Sequence, residues 1–159
     1  MGKKIVVLVI GITIFIGILY LTFGSRVNGF VTISDYEGNM KIYKSGNCGC
    51  CSVYSNYFRG KGNSDVEIIN LENLNSVKEQ YEIPSSLESC HTTVIGNYFV
   101  EGHVPLEAVE KLMKEKPDIK GIAMPGMPSG SPGMTGAKKG DFVIYAVNND
   151  GSYGEWMRI

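Results

Sequence analysis

The chain has almost no excess charge: 15 lysines and arginines stand against 16 aspartates and glutamates, a net of -1. Its basic residues are also dispersed, so the electrostatic footprint by which proteins hold a phosphate backbone is missing and nucleic acid is excluded as a partner. No internal repeat and no low-complexity tract occurs, which argues against a repeat array. Metal-binding side chains are few, with two histidines and four cysteines in 159 residues. They are also unevenly placed for an ordinary zinc centre, which wants four tetrahedral ligands, usually as two well separated pairs. A single domain of ordinary size accounts for the length beyond the N-terminal segment.

What the chain does have begins at the N-terminus. Lys3 and Lys4 precede an uncharged run over residues 5–23, long enough to span a bilayer core. The run exceeds the apolar region of a signal peptide, and Leu21-Thr22-Phe23-Gly24 makes a poor cleavage site, so an uncleaved anchor is expected. Two lysines before the run, with only Arg26 soon after it, place the N-terminus in the cytoplasm and the remainder outside. This division gives a single-pass membrane anchor over 1–24, a tether over 25–39 and a folded extracytoplasmic domain over 40–159.

Within that domain, hydrophobic periodicity predicts a strand from residue 40, then a helix with Val53, Tyr54, Tyr57 and Phe58 on its apolar face, ended by Gly60 and Gly62. Residues 66–71 read as a second strand by their β-branched content. Asn73 then caps a helix with Leu74, Val77 and Tyr81 inward. Residues 92–95 and 98–101 form a hairpin about Gly96-Asn97, and Pro105 opens a helix carrying Leu106, Val109, Leu112 and Met113. The order β-α-β-α-β-β-α predicts an α/β fold, a thioredoxin-like mixed sheet with flanking helices. Residues 124–134 hold too many prolines and glycines for regular structure and form an extended loop, and residues 142–157 form a terminal hairpin.

The chemistry is concentrated in sulfur. Cys48, Cys50 and Cys51 fall within four positions at a strand-to-helix junction, and Cys90-His91 lies some forty residues on. A thiol at a helix N-terminus is favoured as thiolate, the form that both metals and disulfide exchange use. Adjacent Cys50 and Cys51 point apart, and a structural staple has no use for three thiols here. Cu(I) accepts two or three sulfurs and tolerates bridging thiolates, so copper employs every sulfur where zinc, the second choice, leaves Cys50 idle. His91 either ligates metal or hydrogen-bonds the backbone at a strand start, and His103 either ligates or caps the helix that comes after it. Met124, Met127 and Met134 in the loop are either thioether ligands for Cu(I) or gap-filling hydrophobes.

The motifs Cys48-Gly49-Cys50-Cys51, Ser89-Cys90-His91-Thr92, Glu101-Gly102-His103-Val104-Pro105 and the run from Met124 to Met134 together resemble the CopG-type family of cysteine-rich, copper-resistance-associated proteins. The likeness runs from about residue 40 to the C-terminus. It implies a thioredoxin-like fold, copper ions bound by Cys48, Cys50, Cys51 and Cys90, with His91, His103 and the loop methionines as further ligands, and copper handling outside the cytoplasm. The family often has Trp where Tyr54 stands, a difference that bears on packing. A protein that stores copper or exchanges it with a donor or acceptor protein is the first expectation. The alternative is an enzyme, a thiol-disulfide oxidoreductase or copper redox enzyme using the Cys48 and Cys51 pair. A purely structural disulfide domain is a third.

Overall fold

The computed structural model describes residues 29–159 together with Gly2 and residues 11–13. Most of the apolar run read as a membrane span lies outside the described residues; among those described, no helix is long and apolar enough to cross a membrane.

The domain is a seven-stranded mixed sheet with a few short helices. In chain order it contains α1 (Val31–Ser34), β1 (Met40–Ser45), α2 (Gly49–Lys61), β2 (Glu67–Leu71), α3 (Asn75–Gln80), a 3₁₀ turn (Ser85–Leu87), β3 (His91–Ile95), β4 (Tyr98–Glu101), α4 (Leu106–Glu115), β5 (Gly121–Ala123), β6 (Val143–Val147) and β7 (Tyr153–Arg158). The sheet order is β2-β1-β3-β4-β5-β6-β7. Strands β1 and β2 are parallel, while β3 runs antiparallel to both β1 and β4. β5 extends the sheet parallel to β4, and the hairpin β6-β7 closes the far edge.

Two apolar groups hold the sheet. On one face, Met40 and Ile42 of β1, Ile95, Val100 and Ile122 meet Tyr54 and Phe58 of α2 and Leu106, Val109 and Leu112 of α4. On the other, Ile83 and Leu87 cover Phe99, Ala123 and Val147. Burying each large side chain of this kind contributes about 1.5–3 kcal/mol against exposure, which makes α2 and α4 the main clamps on the sheet. The strict alternation of buried and partly buried residues along β1 puts Lys44 on the face of Met40 and Ile42.

Two segments depart from the sequence reading. The stretch expected as tether is docked from residue 31 onward: Ile33 is fully buried, and the Glu110 carboxylate accepts hydrogen bonds from the Thr32 and Ile33 amides at 2.8 and 3.0 Å. The Asn63 side-chain amide donates to the Ile33 and Tyr36 carbonyls at 2.9 and 3.0 Å, so α1 is tied from both sides. The second departure is at α3, which starts at Asn75 rather than after Asn73. The Asn73 side chain accepts from the Asn75 amide in a local turn instead of capping the helix.

Candidate metal centre

The C-terminal end of β1, the N-terminus of α2, the start of β3 and the segment after β4 meet at one end of the sheet. Cys48 is the N-cap of α2 in extended conformation, and its sulfur accepts from the Cys51 amide at 3.3 Å, the bond that serine or aspartate makes in most helices. Cys48 and Cys51 are joined as a disulfide with a Cα–Cα separation of 5.3 Å. Cys50 and Cys90 are free thiols, both partly buried. The Cys50 sulfur lies 3.5 Å from that of Cys48.

Cys90 is the hub. Its sulfur lies 3.4 Å from His91 Nδ1 and 3.1 Å from His103 Nε2, and the Cys51 sulfur lies 3.6 Å from the Cys90 carbonyl oxygen. Two groups of donors overlap there, Cys48, Cys50, Cys51 and Cys90 in one and Cys51, Cys90, His91 and His103 in the other, with ligand atoms within 4.8 Å of one another. Six of the nine side chains singled out in the sequence are thus brought together. Burial, with a smaller push from Cys50, lifts the Cys90 thiol to about 11.

The histidines are held by different means. His103 Nδ1 lies 2.6 Å from the Pro132 carbonyl, which can only accept, so this nitrogen carries the proton and Nε2 presents its lone pair to Cys90. A carbonyl behind the ring is the arrangement that orients metal-bound imidazoles. His91 is fully buried and its Nε2 has no hydrogen-bond partner among the described residues. An unpaired buried nitrogen costs about 1–3 kcal/mol, which a bound ion would recover. Burial keeps both rings below the ordinary histidine range, and for His91 the nearby His103, Lys78 and Lys44 lower it further. Both are neutral at physiological pH, the ligating form. Tyr54 wedges the pair: its ring centroid stands 4.4 Å from that of His91 and 5.5 Å from that of His103, and its hydroxyl donates to the Val104 carbonyl.

The Pro/Gly loop closes over this end. Gly133, at φ +84°, lies so near α2 that a Cβ there would stand 2.8 Å from the Cys50 carbonyl oxygen and 2.9 Å from the Tyr54 nitrogen. Gly102 is equally confined, with the Met124 carbonyl oxygen 2.6 Å from where a Cβ would be. The loop methionines separate. Met124 is buried in the apolar core, where packing accounts for it; Met127 is exposed and Met134 half-buried.

Sequence reasoning missed a buried polar clasp below the donors. Glu101 is fully buried, and its carboxylate accepts from the Lys78 ammonium, from the Ser89 amide at 2.5 Å and from the Thr92 hydroxyl at 2.6 Å. Burial pushes the Glu101 carboxyl up, while Lys78, Thr92 and Ser89 pull it back down. Ser89 and Thr92 flank Cys90-His91, so one carboxylate grips both sides of that dipeptide. Its signal was a strand-end glutamate two residues before His103.

Fold and site together define an α/β protein with a sulfur- and imidazole-lined centre at one end of its sheet, under a Pro/Gly loop. A family profile described as "Protein of unknown function, DUF411" matches residues 87–134. Two solved structures titled "Copper resistance protein copG", in Form 1 and Form 2, are each 34% identical and cover 76% of this chain. The match covers 96% and 97% of those chains, with TM-scores of 0.69 and 0.70. Among curated proteins nothing matches. The chain belongs to the CopG-type copper-resistance family.

Proposed function

We propose that this protein binds Cu(I) as cargo through Cys48, Cys50, Cys51 and Cys90, with His91 and His103 completing the set, in an extracytoplasmic domain held at the membrane by the N-terminal apolar run. The observation that carries the reading is the convergence of four cysteines and two histidines, from three separate chain segments, on Cys90. Soft thiolates with neutral imidazoles suit Cu(I). Exposed Met127 and half-buried Met134 serve thioether capture at the rim, and copper passes to or from a donor or acceptor protein. The strand order β2-β1-β3-β4, with β1 and β2 parallel and β3 antiparallel to its neighbours, supports a thioredoxin-like core.

The test is an anaerobic Cu(I) titration of the reduced full-length chain against a competing chelator. Tight uptake that falls when the four cysteines are changed to serine supports the reading; binding unaffected by those changes overturns it. A second reading, a thiol-disulfide or copper redox enzyme, is favoured by the closed Cys48–Cys51 bridge. Opening it takes two electrons from an external dithiol, which leaves as a disulfide. Insulin reduction that survives Cys50→Ser and excess chelator would select this second reading.

A further inference from the structure

Residues 89–92 carry the hub of the donor set, and the end of β4 holds them at several points. The Glu101 carboxylate accepts from the Ser89 amide at 2.5 Å and from the Thr92 hydroxyl at 2.6 Å. Between those anchors the Gly102 amide donates to the His91 carbonyl at 3.0 Å. Ser89 passes the restraint on, because its own hydroxyl donates to the Cys90 sulfur at 4.0 Å. Glu101 is the register partner of Thr92, and the Lys78 ammonium of α3 holds the same carboxylate. Glu101 and Thr92 are fully buried and Lys78 nearly so.

A buried ion pair contributes little net stability, since desolvation offsets its attraction, and two apolar side chains of similar volume hold a core as well. What an apolar pair lacks is an acceptor for the Ser89 amide and the Thr92 hydroxyl. We infer that Glu101 is a positioning residue of the metal centre: through Ser89 and Thr92 it fixes the Cys90-His91 dipeptide so that the Cys90 sulfur faces His103 Nε2, 3.1 Å away. Groups that orient a ligand by hydrogen bonds commonly lower metal affinity by about 10–100-fold when they are lost. Lys78 serves the carboxylate rather than the ligands, so the hydrogen-bonding shape of residue 101 matters and its charge does not. The effect on copper rests on the function proposed above, and the fixing of Cys90 does not.

Two double variants separate shape from charge. Lys78→Met with Glu101→Leu fills the space and removes both acceptors. Lys78→Met with Glu101→Gln keeps an oxygen for the Ser89 amide and an N–H for the Thr92 oxygen. On the full-length, metal-free protein with the Cys48–Cys51 bridge closed, iodoacetamide labelling of Cys90 is compared with that of Cys50 by mass spectrometry. On the reduced protein, Cu(I) affinity is read by chelator competition. The Glu101→Leu double should label about tenfold faster at Cys90 relative to Cys50 and lose about tenfold or more in Cu(I) affinity. The Glu101→Gln double should recover both to within about threefold of the parent. Unchanged Cys90 labelling in a folded Glu101→Leu double overturns the inference, as does unchanged affinity where the parent binds Cu(I), or an equal change in both doubles. If the Glu101→Leu double does not fold, Thr92→Val, which removes one anchor, is held to a change of about threefold in each measurement. Should the parent bind no Cu(I) while Cys90 labelling still separates the doubles, the copper reading fails and the positioning role stands.

Discussion

Cys90 belongs to both donor groups, so its loss should cost more than loss of Cys50. Cys90→Ser is expected to weaken Cu(I) binding by at least about a hundredfold, and Cys50→Ser by less, in the same chelator competition. Tyr54 holds the histidines as well as the core. Tyr54→Phe removes one hydrogen bond to Val104 and should cost about 1 kcal/mol, whereas Tyr54→Ala opens a cavity and should cost about 3–5 kcal/mol, both read from denaturant midpoints. The histidines also set a pH dependence for the copper-free protein. Both are held below the usual histidine range in the fold, so between their folded and unfolded values the unfolded chain binds more protons. Their contribution is complete above about 6.5 and is lost as pH falls below it. Cys90 works in the opposite sense: raised from 9.0 to about 11, it favours the fold below 9.0 and loses that contribution as pH rises through the window. Stability of the metal-free protein should therefore peak between these limits, as unfolding followed across the pH range would reveal. The cysteines and histidines were legible in the sequence because residue type and spacing carry their chemistry. Lys78 and Glu101 carry no such signal, because their ion pair forms only when the helix α3 is packed against β4.

At the scale of elements, the first four strands, α2 and α4 were readable from periodicity and from Pro and Gly stops. Three-residue β5 was not, because Gly121-Ile122-Ala123 is too short to show a period and owes its strand state to β4 and β6 on either side. α1 escaped for a related reason: four residues cannot form a stable helix alone, and a glutamate distant in sequence supplies their amide partners. Glu110→Ala should release α1, costing about 1–2 kcal/mol and speeding hydrogen exchange over residues 31–36 with little change at β3. The prolines and glycines of residues 124–134 keep the loop irregular, and its glycines serve closeness rather than flexibility. Gly133→Ala meets backbone atoms that cannot rotate away and needs a left-handed φ, so it should cost about 1–3 kcal/mol and weaken copper retention by moving Pro132 off His103. A Gly133→Ala variant as stable as the parent would contradict the contact between loop and helix.

Across the whole molecule, the sheet assembles a site from parts that are far apart in sequence. Parallel β1 and β2 set the strand-to-helix turn that presents Cys48, Cys50 and Cys51, and the β3-β4 hairpin brings Cys90, His91 and His103 beside it. The buried Lys78–Glu101 pair grips Ser89 and Thr92 on either side of Cys90-His91, so the domain places charge as well as ligands at that end. The central claim is that the sulfur cluster is a cuprous site, and copper K-edge absorption on full-length protein, reduced and loaded without air, tests it most directly. The expected spectrum has a Cu(I) edge and a first shell dominated by sulfur, with a minor nitrogen component that falls in His103→Ala and is lost when His91 is changed as well. A divalent edge with only oxygen and nitrogen neighbours, or copper removed by simple desalting, would contradict it.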